Sequence, residues 1–94
     1  KIEEKRKLLY NEIVDLVDIG SESLRKITEY RNTDPDGYNY ARKNATFVLR
    51  RLRFLLSPKA ELSAVTRAYL TKLVVSDQEG RYNWVKKTLL SEGN

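Results

Sequence analysis

The chain has no cysteine, no histidine and no methionine, and only 4 glycines and 2 prolines among its 94 residues. Without cysteine there is no disulfide scaffold, no thiolate zinc site and no thiol nucleophile. Without histidine the commonest general base and metal ligand is missing. Ser57, Ser63 and Ser76 therefore have no imidazole to activate them. The lack of methionine, position 1 included, points to a trimmed piece of a longer chain.

Long apolar runs are also missing. Leu73-Val74-Val75 is typical, far short of the roughly 20 apolar residues of a membrane span, so no membrane insertion is expected. The charged segment Lys1–Lys7 is followed by only Leu8-Leu9 before Tyr10-Asn11-Glu12, too short for a secretory leader. With the absence of cysteine, this fits a cytoplasmic protein. Neither glycine-rich phosphate loop pattern occurs. Asp34 and Asp36 read as a capping turn, and Asp15 and Asp18 as surface charge, rather than as a glycosidase or metal pair. Asn44-Ala45-Thr46 matches a glycosylation sequon, but it falls within a helical pattern and reads as coincidence. No cofactor, metal or small-molecule substrate is implied, and acid–base chemistry would rest on carboxylates, lysine and tyrosine alone. The chain reads as non-enzymatic.

What is present is helical periodicity. With 40% hydrophobic and 33% charged residues, the composition suits one small domain. Ile2, Leu9, Ile13, Leu16, Val17, Gly20, Leu24 and Ile27 recur at helical spacing, and the phase passes through Gly20 unbroken, so one long first helix is predicted. Thr33-Asp34-Pro35-Asp36-Gly37 punctuates the chain, with Asp34 as cap and Pro35 at the first helical position of a second helix running to Leu56. Ser57-Pro58 predicts a third helix start by the same logic. Ser76-Asp77-Gln78-Glu79 has the capping-box form and predicts a short last helix carrying Tyr82, Val85 and Leu89. Ser91–Asn94 are expected to fray. No strand pattern occurs. The expected fold is all-α: a small antiparallel bundle of three longer helices plus a short C-terminal helix, in a single domain over residues 1–94.

Three features bear on function. The first is charge segregation. Residues 1–36 hold seven Lys/Arg and nine Asp/Glu, whereas residues 37–75 hold eight and one, a net +7 in a chain of +5 overall. On the second helix Tyr38, Ala41, Ala45, Val48, Leu49, Leu52, Leu55 and Leu56 form an apolar arc. Asn39, Arg42, Lys43, Thr46, Arg50 and Arg53 lie opposite. The first helix mirrors this with Glu4, Asp15, Asp18, Glu22 and Glu29. Both rows should point out of the bundle. Solvated faces that keep the protein in solution are the plain reading of them.

The second feature is Tyr40, Phe47 and Phe54, which recur at spacing seven on the flank of the second helix. Rings interleaved with cations suit a nucleic-acid surface, but core packing is the stronger expectation. Arg51 falls inside the apolar arc and should snorkel out or pair with a carboxylate such as Glu12. The third is a row of small residues, Ala60, Ala64, Ala68 and Thr71, continued by Val75, on the third helix. It is either sandwiched within the bundle, the plainer reading, or shared with another chain as a seam.

Together these point to a binding module, not a catalyst. The leading expectation is an interaction or assembly domain that binds another protein or itself through its charged faces and the small-residue row. The alternative is nucleic-acid binding through Arg42, Lys43, Arg50 and Arg53. An anionic membrane surface ranks behind both, because the basic row is expected to lack an adjoining apolar face.

Overall fold

The computed structural model describes residues 1–91; the fraying expected of residues 92–94 lies outside them. Among the described residues the fold is all-α, with no strand. The elements are α1 (Ile2–Tyr30), α2 (Pro35–Leu56), α3 (Ser63–Ser76) and α4 (Asn83–Val85), the last running straight into a π-helical turn at Lys86–Leu90.

α1 is a single helix through Gly20, as its unbroken apolar phase predicts. Asp34 ends the link between α1 and α2. Its Oδ1 accepts the Gly37 amide at 3.0 Å, and Pro35, which has no amide proton to leave unpaired, occupies the first helical position. The short link makes α1 and α2 antiparallel neighbours, and they pack along their apolar arcs. Ile13 and Val17 of α1 and Val48 and Leu52 of α2 are fully buried. Each such side chain contributes about 1.5–3 kcal/mol by leaving water. Ala41 and Ala45 are buried too, and their small side chains let the α1 backbone come close.

α3 and the C-terminal segment cover one side of this two-helix layer, closing the core with Leu70, Val85 and Leu89. The rings of Tyr10 and Tyr69 meet edge to face at 5.1 Å between α1 and α3.

Two predicted boundaries are corrected. α3 begins at Ser63, not at Ser57-Pro58. Ser57 closes α2 instead: its amide and its hydroxyl both donate to the Phe54 carbonyl, at 3.0 and 2.8 Å. The hydroxyl is thereby committed to the helix behind it. The chain then turns tightly, the Ala60 amide donating to the Ser57 carbonyl, and α3 opens only where Leu62 O accepts from Thr66.

The capping box at Ser76–Glu79 does not form either. Ser76 Oγ donates back to the Lys72 and Leu73 carbonyls. Asp77 Oδ2 instead accepts the Tyr82 amide at 2.6 Å and braces the turn, and the last helix has no side-chain cap. Gly80, at φ +73°, makes the intervening turn in a conformation that side-chain-bearing residues rarely adopt. The last helix therefore starts at Asn83.

The C-terminal segment is fastened to one turn of α1. Trp84 Nε1 donates to Ser21 Oγ at 2.9 Å, and Ser21 Oγ donates to the Arg81 carbonyl at 3.1 Å. Tyr82 OH donates to Asp18 Oδ1 at 2.6 Å. The Trp84 ring lies across Gly20, where a Cβ would sit 2.6 Å from ring carbon Cζ2 and 3.2 Å from Val48 Cγ1. Gly20 thus carries no side chain because tryptophan occupies the space.

Gly20→Ala should gain about 1 kcal/mol of helix propensity but incur about 1–3 kcal/mol of overpacking, because the ring is held by its bond to Ser21 and would have to shift. The net expectation is a lower urea midpoint with altered Trp84 fluorescence in the native state; a higher midpoint would show that the ring is free to move.

The Asp18–Tyr82 bond also sets a pH dependence. Accepting this bond, the carboxylate favours the protonated phenol, and burial adds to the effect, so the Tyr82 pKa is raised above its ordinary value. The unfolded chain then loses this proton at lower pH than the folded chain. The stabilisation is complete below about pH 10 and lost as pH rises through the folded value. Tyr82→Phe should lower stability by about 1 kcal/mol at neutral pH and flatten the alkaline decline, as read from thermal melts between about pH 7 and 11.

Candidate functional site

α3 and the C-terminal segment cover one side of the α1–α2 layer, and the opposite side is open. Here the expectation that Tyr40, Phe47 and Phe54 pack in the core is overturned: they are 67%, 63% and 49% exposed. The reason is angular. Ala41, Ala45, Val48, Leu52 and Leu55 define the buried line of α2, and at about 100° per residue the ring row lies roughly 120° around the helix from it. Among the described elements no third helix packs over Tyr40 and Phe47, and only the α2–α3 turn and the start of α3 flank Phe54 at one end.

α1 contributes to the same surface. Leu8 and Phe54 line one cleft of about 320 Å³, and Ile19 and Tyr40 line another of about 270 Å³ farther along the helix pair. Between the clefts Glu12 and Arg51 join the two helices, Nε to Oε2 at 2.6 Å and Nη2 to Oε1 at 3.3 Å. This is the pairing expected for an arginine inside an apolar arc. The hydrogen bond to Glu12 holds the guanidinium further toward its charged form. With both side chains more than a third exposed, the pair contributes up to about 1 kcal/mol, less than one buried leucine. Its larger effect is to fix the level of α1 against α2.

Seven large apolar side chains are exposed among the described residues, and five of them, Leu8, Ile19, Tyr40, Phe47 and Phe54, lie on this face. From Tyr40 to Phe54 the row extends about 21 Å. Scattered apolar residues are ordinary on a surface, whereas a contiguous row is the mark of a binding face.

The structure brings three of the four expected basic residues, Arg42, Lys43 and Arg50, beside this row. Arg42, Lys43, Arg50 and Arg53 are all exposed on α2. Arg42, Lys43 and Phe47 line one shallow surface with Arg50. Arg42 lies over the Tyr38 ring at 5.7 Å. The basic row therefore does adjoin an apolar surface, contrary to the expectation that set a membrane surface aside. On the α1 side the row is bordered by charges of both signs: Glu12 in the pair with Arg51, exposed Asp15 one turn on, and Glu22 and Lys26 beside Ile19. Glu22 is also bonded to Arg25 on its own helix, which lowers its pKa.

The small-residue row lies elsewhere and is not sandwiched. Ala64, Ala68 and Thr71 on α3 are exposed, Val75 is 79% exposed, and Ala60 is half-buried in the turn before α3. α3 turns Leu70 and Thr66 to the core, so its small residues face solvent. Among the described residues no group of three or more acidic, cysteine or histidine side chains is placed to hold a metal ion. No described helix is long and apolar enough to cross a membrane. Comparison with family models, curated proteins and solved structures finds no match to this chain.

What the sequence reading missed is that the ring row and the basic row share a surface with Leu8 and Ile19. Their signal was present: both residues fall outside the apolar stripe of α1 at a spacing of eleven residues, three helical turns.

Phe47→Asp should change stability by no more than about 0.5 kcal/mol, because the ring is solvated, whereas Val48→Asp should unfold the chain by placing a charge in the core. Urea titrations followed by Trp84 fluorescence at sub-micromolar protein check both; marked destabilisation by Phe47→Asp would place the ring in the core.

Proposed function

We propose that this chain is a non-catalytic protein–protein interaction module that binds through the open face of its α1–α2 layer. The observation that carries this reading is the gathering of five exposed large apolar side chains on that face. Aromatic residues and arginine are the types that dominate protein interfaces, because they bury large area and keep polar contacts at the rim. Here Tyr40, Phe47 and Phe54 supply the area, and Lys43 and Arg50 the charged border. Without histidine or cysteine, catalysis would need carboxylate, lysine or tyrosine groups set in an enclosed site, and the face described is open.

Nucleic-acid binding is the second reading, favoured by exposed rings beside Arg42, Lys43 and Arg50. A carboxylate weighs against it. A strand whose bases stacked on the rings would run beside Asp15, which repels its phosphates, while Glu12 and Glu22 are already paired with Arg51 and Arg25. The same carboxylate disfavours an anionic membrane surface.

The test is photo-crosslinking in the cells that make the protein, with p-benzoylphenylalanine replacing Phe47 or, as a control on α3, Lys72. The expected result is a discrete protein adduct, of any mass, from position 47 and none from position 72. In parallel, fluorescence anisotropy with a generic oligonucleotide and sedimentation with anionic phosphatidylserine vesicles should show no binding that survives near 0.15 M salt. Oligonucleotide or vesicle binding that persists there and is lost in Arg50→Glu overturns the proposal, as does the absence of any adduct from position 47.

A further inference from the structure

We infer that the partner for this face is a second copy of the same chain, joined about a two-fold axis that runs parallel to α1 and α2. This rests on the reading of the face as a protein-binding surface and adds the identity and geometry of what binds there.

The inference comes from how charge is laid out around the apolar row. One border, on α1, carries the exposed acid Asp15 and, farther along, Glu22, which Arg25 holds and Lys26 flanks; the other, on α2, is basic and carries Lys43 and Arg50. Asp15 and Arg50 form no ion pair within the chain among the described residues. The Glu12–Arg51 pair fixes which residues lie at the same level along the two antiparallel helices. Counting from it at 1.5 Å per residue, Asp15 and Arg50 differ in level by about 3 Å.

A two-fold axis along the row preserves level and exchanges sides. It sets α1 of one copy against α2 of the other. Asp15 then meets the second copy's Arg50, and symmetry repeats the contact. The ring row, near the axis, meets itself. An axis across the row would instead oppose acid to acid and base to base. The face is thus self-complementary in one orientation only.

Its size suits the same conclusion. The two helices side by side present a surface about 30 Å long and 20 Å wide, roughly 600 Å² in projection, the order of the ~800 Å² each partner contributes to a standard interface. The pairing would also give the rings the apolar cover that none of the described elements provides.

Light scattering over a concentration series, with the intact chain, tests this. The expected mass moves from the 11.0 kDa of one chain to twice that value. Phe47→Asp should remain at the mass of one chain at every concentration. Asp15→Lys and Arg50→Glu, each alone, should weaken dimerisation at least tenfold, because each sets like charges opposite one another. Mixed one to one they should recover it, as a heterodimer resolved by native mass spectrometry.

A chain that stays at 11.0 kDa up to millimolar concentration overturns the second-copy inference; if position 47 still crosslinks a different protein, the interaction reading stands without it. A dimer unmoved by Phe47→Asp and Arg50→Glu uses another surface, such as the Ala64–Ala68 side of α3, and overturns the inference. A dimer that forms only with added oligonucleotide does so as well.

Discussion

The pairing of α1 with α2 is the interaction on which the rest of the structure depends. Ile13, Val17, Val48 and Leu52 lose all contact with water where the two helices meet, and Ala41 and Ala45 permit the close approach. At about 1.5–3 kcal/mol for each large side chain, this burial outweighs the surface ion pairs, which contribute up to about 1 kcal/mol each. Two helices make a layer, and a layer has two sides. The remaining chain, α3 and the C-terminal segment, is long enough to cover one. Which side it covers is settled at Gly20, where the missing side chain admits Trp84, and at Asp18 and Ser21, which hold Tyr82 and Trp84 by hydrogen bonds. Once that side is taken, Leu8, Ile19, Tyr40, Phe47 and Phe54 are left on the other.

The same arrangement explains which parts of the fold are legible in the sequence. The extents of α1 and α2 follow from signals that act within a few residues: an apolar phase uninterrupted at Gly20, and Asp34-Pro35 at a helix start. The Glu12–Arg51 pair is legible because an arginine within an apolar arc must reach a carboxylate or solvent. The starts of α3 and α4 are not legible. Ser57 and Ser76 have hydroxyls able to cap the next helix or close the previous one, and both close the previous one. The competition between those local bonds is decided by where Leu62 and Tyr82 must lie to reach the core and Asp18. That is tertiary information, absent from any window of a few residues.

The site was legible in part for a related reason. Arg42, Lys43, Arg50 and Arg53 are exposed because charge alone requires it, whatever packs behind them. The aromatic residues carry no such instruction. Phe47 suits a core or a binding face equally well, and helical periodicity places it on a flank where either outcome is open. Only the count of helices available to cover that flank decides, and it decides for exposure. The small residues of α3 are not sandwiched within the chain on the same ground: Ala64 and Ala68 would pack closely if a helix lay over them, and none of the described elements does.

An uncovered apolar row is a hazard as well as an opportunity, since any apolar surface will stick to it. Its borders limit the choice. Lys43 and Arg50 on one side and Asp15 on the other repel a surface of either single sign along one edge while attracting it along the other. Only a partner with the opposite order of charge, acid facing base across the whole width, satisfies both edges together. A nucleic-acid strand and an anionic bilayer carry one sign and meet repulsion at the α1 edge. A surface with this same pair of borders, turned about the line of the helices, opposes Asp15 to Arg50, and on the proposed pairing that is how the charge segregation of the sequence would bear on specificity rather than on solubility alone.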